Sequence, residues 1–259
     1  MIPLQSKALC EVAVISGFDA TASAGIILDS HISTILGCQP LCILPAFSIQ
    51  RHHSLERAIA FSEEEILLQL RNVKHFPKTI KIGLLQNKEA IVTISNFLKS
   101  QNNVTIIADT PIVSSSGKQL VDDITSYISA FKEYLLPIVD LLTPNIDEMK
   151  LFGGKDGILY TGCNAVIVKG GHSNGDECTD TLFTHNENKK YTTSRVNFAE
   201  NIRGTGCGFA TAIACYLARG LLLDEAIRCA KEFIFSGIKN SIKVDERTRV
   251  MNFIPPFPH

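Results

Sequence analysis

The chain has 259 residues, 45% of them hydrophobic and 20% charged, with a formal net charge of -1. That length allows a large α/β domain with a sizeable core, and the near-neutral balance argues against nucleic acid or an anionic membrane surface as partner. No apolar run approaches the ~20 residues needed to span a bilayer.

The first residues, Met1 to Ser16, lack a basic start followed by a long apolar stretch, so no secretory signal is expected and a cytoplasmic location is. Candidate strands, each a short β-branched run, fall at Val12–Ser16, Leu41–Phe47, Ile80–Leu85, Val104–Asp109, Val139–Thr143 and Ala165–Lys169. Most are continuously apolar, as strands covered on both faces of a parallel sheet are. Helical patterns fill the gaps at Ala24–Leu36, Leu55–Asn72, Lys88–Leu98 and Val121–Leu135. Between Phe152 and Ala165 there is room for little more than one helical turn. Thr179–Thr184 and Lys190–Ser194 then read as an antiparallel edge hairpin around a polar turn. Helices at Thr205–Arg219 and at Asp224–Lys239, the latter with Asp224 as N-cap, precede a terminal tail over 252–259. The alternation predicts one α/β domain over 1–259: a Rossmann-like three-layer fold with a central, mainly parallel sheet flanked by helices. Eight cysteines, scattered and without a CxxC pair, read as reduced thiols, and their spacing argues against zinc.

The most informative stretch is Asn201-Ile202-Arg203-Gly204-Thr205-Gly206-Cys207-Gly208, which runs directly into an apolar-periodic helix. Its glycines can turn several N–H groups toward one point, and the helix adds unpaired donors and the positive end of its dipole. Together they suit a phosphate in transfer, and a cysteine in the first turn is expected to have a lowered pKa. The plainer alternative is a glycine-rich helix start with a buried cysteine. Asn145 and Glu148, three apart where a strand runs into a helix, offer oxygens suited to Mg²⁺, or else simply begin that helix. Asp109 and Lys169 each end a strand, where α/β ligand sites gather and where turn and cap residues are also common. Gly170 and Gly171 allow a nucleotide to approach the backbone closely.

Six segments in order resemble the hydroxymethylpyrimidine/phosphomethylpyrimidine kinases of the ribokinase superfamily, over about residue 12 to 240. They are Ser16-Gly17-Phe18-Asp19 through Ala24-Gly25; Lys81-Ile82-Gly83-Leu84-Leu85; Asp109-Thr110-Pro111-Ile112-Val113 through Ser116-Gly117; Thr143-Pro144-Asn145-Ile146-Asp147-Glu148; Val168-Lys169-Gly170-Gly171-His172; and the Gly204–Cys207 loop. The resemblance implies a ribokinase-like fold, ATP and Mg²⁺ as cofactors, and phosphorylation of hydroxymethylpyrimidine and its monophosphate in thiamine biosynthesis. It makes Cys207 the proton acceptor, with Gly204, Thr205 and Gly206 forming the anion hole. Asp109 and Glu148 become the metal residues, and Lys169, Gly170, Gly171 and Asn145 the nucleotide side. Gly17, Asp19 and Gln50 fall where the family contacts the aminopyrimidine. It also implies a homodimer, and the Val113–Gln119 loop suits a lid.

Departures from the family pattern gather on the substrate side. Ala22 and Ser23 replace glycines, and Phe47, Arg51 and His52 add bulk near Gln50. Pro45 interrupts a strand, and Arg203 stands where a histidine is common. A pyridoxal-type kinase and a non-catalytic pyrimidine- or nucleotide-binding paralogue therefore remain as alternatives.

Overall fold

Parallel strands need crossovers, and this chain supplies them in sequence. A computed structural model describes residues 9–52, 54–113, 117–171 and 175–253. The first half runs β1 (Glu11–Ile15), β2 (Phe18–Asp19), α1 (Gly25–Ile35), β3 (Gln39–Ile43), β4 (Ala46–Arg51), β5 (Ser54–Ala60), α2 (Glu63–Arg71), β6 (Thr79–Ile82), α3 (Lys88–Lys99), β7 (Thr105–Ala108) and α4 (Ile124–Ala130). There follow β8 (Leu141–Leu142), α5 (Ile146–Leu151), α6 (Gly154–Tyr160), β9 (Ala165–Val168), β10 (Glu177–Thr184), β11 (Asn188–Ser194) and β12 (Asn201–Arg203). The chain then forms α7 (Thr205–Ala218), α8 (Leu223–Lys239), β13 (Ile242–Lys243) and β14 (Thr248–Val250).

The main sheet has eight strands in the order β11-β10-β9-β8-β7-β6-β1-β3, parallel from β9 to β3, with the β10–β11 hairpin antiparallel at its edge. Alternation along β1 divides the core. Ala13 and Ile15 pack with Ile66, Ile91, Tyr127 and Ile158 on one face, and Val12 and Val14 pack with Ile32, Ile213 and Ile227 on the other. This is the three-layer α/β architecture expected from the continuously apolar strands.

Several expected elements differ. The single strand over Leu41–Phe47 is two: β3 stays in the main sheet, while β4 joins β2 and β5 in a separate three-stranded sheet. The break falls at Leu44-Pro45, where proline offers no N–H, and the Gln69 amide bonds both the N–H and the carbonyl of Leu44. The helix expected from Leu55 starts only at Glu63. Before it lies β5, and Ser62 and Glu65 form a capping box. The Val121–Leu135 helix begins at Ile124 behind an Asp123 cap and ends in a π-helical turn, Phe131–Leu135. Seven residues of α6 occupy the short crossover where one turn was expected. Asp224 is not an N-cap; α8 begins at Leu223, and the Asp224 carboxylate instead accepts from Tyr191 Oη at 2.7 Å and pairs with Lys189.

The reading of every cysteine as a reduced thiol also fails, because Cys10 and Cys38 form a disulfide. They immediately precede Glu11 and Gln39, which are register partners in β1 and β3, so parallel pairing brings them side by side across 28 residues of sequence. Among the described residues no helix is long and apolar enough to cross a membrane. Tail residues 254–259 lie outside the described residues.

Candidate active site

The C-terminal ends of β1, β6, β7 and β9 meet the start of α7. Gly204, at φ +78°, is the N-cap of that helix, and a Cβ there would lie 2.1 Å from Ser23 O and 2.5 Å from Leu28 Cδ2. Only glycine fits so close an approach in the left-handed region. Gly25, at φ +62°, packs against Gly17 O, which accepts from the Ile26 amide at 2.9 Å. The anion loop and the first-strand loop are therefore in backbone contact.

Lys169 Nζ donates to Asp109 Oδ1 at 2.7 Å, and a Cβ on Gly206 would lie 3.0 Å from the same Nζ. Thr143 Oγ1 also donates to Asp109 Oδ1, at 3.2 Å. The Cys207 thiol, at the third residue of α7, lies within electrostatic reach of the Asp109 carboxylate. Glu148 sits beside this group, with Thr110 Oγ1 donating to its Oε2 at 3.2 Å. The structure thus brings together Asp109, Glu148, Lys169, Gly204, Thr205, Gly206 and Cys207.

Burial would raise the Asp109 pKa, but Lys169 and Lys81 hold it below the ordinary carboxylate value. Burial pushes Glu148 the other way, above its ordinary value. For Lys169, burial is outweighed by Asp109 and Glu148, so the ammonium is held charged. Cys207 departs from the expectation of a lowered pKa. Burial, with Asp109 and Asp29 adding to it, outweighs the Lys81 ammonium and pushes the thiol up to about 12. The helix N-terminus does not prevail against two neighbouring carboxylates and loss of solvent.

Other predicted residues have local duties. Asn145 caps α5, its Oδ1 accepting from the Asp147 and Glu148 amides at 2.9 and 2.8 Å, while Glu148 Oε2 returns to the Asn145 amide. The Gly170 amide donates to Asp180 Oδ1 at 2.8 Å, and a Cβ on Gly170 would meet Thr179 O at 1.9 Å. Gly171 O accepts from Arg195. Asp19 is buried and paired with Arg203 at 2.9 Å. Gln50 lies half-buried on β4 opposite Leu55, in the separate three-stranded sheet. His172 and residues 114–116 of the expected lid fall outside the described residues.

Sequence reasoning missed the support beneath Cys207. Lys81, fully buried on β6, pairs with Asp29 of α1 at 2.5 Å. Thr211 Oγ1 donates to Asp29 Oδ1 at 2.7 Å and contacts Cys207 O at 2.9 Å. A lysine inside an otherwise apolar strand was the available signal.

A cation, two carboxylates and a glycine-lined helix N-terminus at the strand ends of a mainly parallel sheet are the parts of a phosphotransferase site. The family model for phosphomethylpyrimidine kinase matches residues 19–252. The chain belongs to that family and is a kinase. The hydroxymethylpyrimidine/phosphomethylpyrimidine kinase of Aquifex aeolicus (strain VF5) is 28% identical over 253 residues, spanning 92% of this chain and 98% of the relative. Among solved structures, pyridoxal kinase from Staphylococcus aureus in complex with AMP-PCP and pyridoxal superposes with a TM-score of 0.85 at 27% identity, covering 95% and 94% of the two chains. Phosphomethylpyrimidine kinase from Clostridium difficile 630 superposes with a TM-score of 0.76 at 26% identity, covering 88% and 99%.

Proposed function

We propose that the chain transfers the γ-phosphoryl group of ATP to the hydroxymethyl group of 4-amino-5-hydroxymethyl-2-methylpyrimidine, and then to the resulting monophosphate. The observation that carries this reading is the Cys207–Asp109–Lys169 group at the Gly204–Gly206 helix start, together with the family match. The amides of Gly204 to Gly206 hold the transferring phosphoryl oxygens, and Lys169 exchanges its bond to Asp109 for one to phosphate. The S. aureus relative binds AMP-PCP, which supports ATP as the donor here.

Among the described residues no three His, Cys, Asp or Glu side chains are grouped to hold a metal. Asp109 and Glu148 nevertheless fit Mg²⁺, a hard cation that takes one or two carboxylates and completes its shell with water and phosphate. Magnesium, when bound, would supply positive charge beside the phosphate chain. Asp109 and Glu148 would hold it, with Thr143 and Thr110 orienting their carboxylates.

Phosphoryl transfer passes through a loose transition state, so the acceptor oxygen keeps its proton until late. The new O–P bond forms as the bond to ADP breaks. With the alcohol as acceptor, its proton passes to the Cys207 thiolate, which becomes the thiol and later gives that proton to solvent; the anionic oxygen of the monophosphate needs no such acceptor. Lys81 favours the thiolate at that moment.

A pyridoxal-type kinase is the second reading, favoured by the higher TM-score to the S. aureus enzyme. Mass-spectrometric product detection decides. Purified protein with Mg²⁺–ATP is offered hydroxymethylpyrimidine, its monophosphate, pyridoxal and pyridoxine, alongside Cys207→Ala. Phosphorylated pyrimidine, lost in the variant, is expected. Binding of these compounds without any product would overturn the kinase assignment of substrate.

A further inference from the structure

The departures from the family pattern are far apart in sequence, yet several of them meet in space. Arg203 Nη2 pairs with Asp19 Oδ2 at 2.9 Å, the two side chains being 6% and 3% exposed. Arg203 Nη1 donates to His52 O at 2.7 Å, and His52 Nδ1 lies 3.3 Å from Ser23 Oγ. Ser23 O in turn packs on Gly204, the residue after Arg203. Arg203, His52, Ser23 and Gly204 therefore close a ring that joins three segments: the anion loop, the first-strand loop and the β4–β5 turn. Asp19 stands inside it, its Oδ1 accepting from the Thr21 amide at 2.9 Å and the Thr21 hydroxyl at 2.8 Å.

We infer that Arg203 is a positioning and specificity residue for the acceptor: it neutralises Asp19 and fixes the acceptor wall against the phosphoryl site, so that a phosphomonoester acceptor is admitted beside a neutral alcohol. The inference rests on the proposed reading of the first-strand loop as the acceptor side. Two features carry it. The ring leaves no slack, because Gly204 touches Ser23 through backbone while the preceding side chain reaches over to Asp19 and His52. In addition, Asp19 without Arg203 is a buried, uncompensated carboxylate beside a site that must accept an anion, and like charges at close range repel strongly in a dry pocket.

The test compares Arg203→Met with the double variant Asp19→Asn/Arg203→Met, using hydroxymethylpyrimidine and its monophosphate as acceptors and ADP binding as a separate measurement. In Arg203→Met the KM for the monophosphate should rise about tenfold more than that for the alcohol, while ADP affinity stays within about twofold. The double variant should bring the ratio of the two KM values back to within about twofold of the parent, because both charges are gone. A purely structural role would move both acceptors, and ADP, together, and that result overturns the inference. Failure of both variants to fold overturns it equally. If neither acceptor is turned over by the parent protein, the substrate reading fails by itself, and hydrogen exchange then decides the ring. Amides of residues 18–23 and 50–52 should exchange faster in Arg203→Met, with those of 205–211 unchanged; equal protection in both proteins refutes the coupling.

Discussion

Cys207 offers a quantitative check, because the sequence and the structure disagree about it. Position in the first turn of α7 argues for a depressed thiol pKa. The structure instead pushes it from 9.0 up to about 12 through burial, Asp109 and Asp29, against the pull of Lys81. Well below pH 9 that difference cuts the thiolate fraction by about a thousandfold. The more basic thiolate is intrinsically more nucleophilic, and with a Brønsted slope near ~0.45 it recovers a factor of about twenty. Thiol–disulfide exchange at Cys207 should therefore run about fiftyfold slower than that of a small standard thiol, before any allowance for access. The assay is a small aromatic disulfide reagent from pH 7 to 10, with the modified peptide identified by mass spectrometry. The rate at Cys207 should still climb about tenfold per pH unit at pH 9. Asp109→Asn should accelerate it, since that change removes a neighbouring negative charge and leaves the Lys169 ammonium in place. A plateau reached by pH 8, or a slower reaction in Asp109→Asn, would refute the electrostatic account and restore the helix-terminus expectation.

Three further outcomes follow from the packing. Gly204→Ala should lower stability by about 2 kcal/mol or more and abolish turnover, because a left-handed φ and a Cβ 2.1 Å from Ser23 O cannot both be relieved; calorimetric melting and product assays check this. Lys81→Met should cost about 3–5 kcal/mol by leaving Asp29 buried and unpaired, and Asp29→Asn added to it should recover most of the loss in urea unfolding. Lys231 pairs with Asp180 at 2.6 Å, and Asp180 holds the Gly170 amide. Lys231→Met should therefore weaken ADP binding about tenfold by calorimetry, and unchanged ADP affinity would detach α8 from the nucleotide side.

What could be read from the sequence was local. The Gly204–Cys207 loop, the Asn145–Glu148 pair and the strand-end Asp109 and Lys169 each carry their signal within a few residues, and the structure brings them near one another. The boundary between β5 and α2 has a local signal: Ser62-Glu63-Glu64-Glu65 is a capping-box pattern, which starts a helix at residue 63 and leaves the preceding run extended. Other features had none. Asp29 and Lys81 are 52 residues apart, and Asp19 and Arg203 are 184 apart. Cys10 and Cys38 meet only through the register of β1 and β3. The Cys207 pKa depends on burial and on Lys81, Asp109 and Asp29, which lie far from it in sequence, so helix position alone misjudged it.

Ion pairs also explain how a site built for polyanions stays stable when empty. Asp19–Arg203, Asp29–Lys81, Asp109–Lys169 and Asp180–Lys231 each match one cation to one carboxylate. Three of them are sealed, with both side chains at most 9% exposed, and removing either partner would strand a buried charge. Lys169 is different: it is 17% exposed over an Asp109 that is only 4% exposed. It is therefore the cation of the four that can turn toward an incoming phosphate at least cost, leaving Asp109 free to meet a new positive charge. Under the proposed function, the sealed pairs hold the frame and the open one exchanges its partner. On this reading Lys169→Met should weaken ATP binding far more than acceptor binding, whereas Arg203→Met should do the reverse, and a double variant should show the two effects adding because the pairs share no partner.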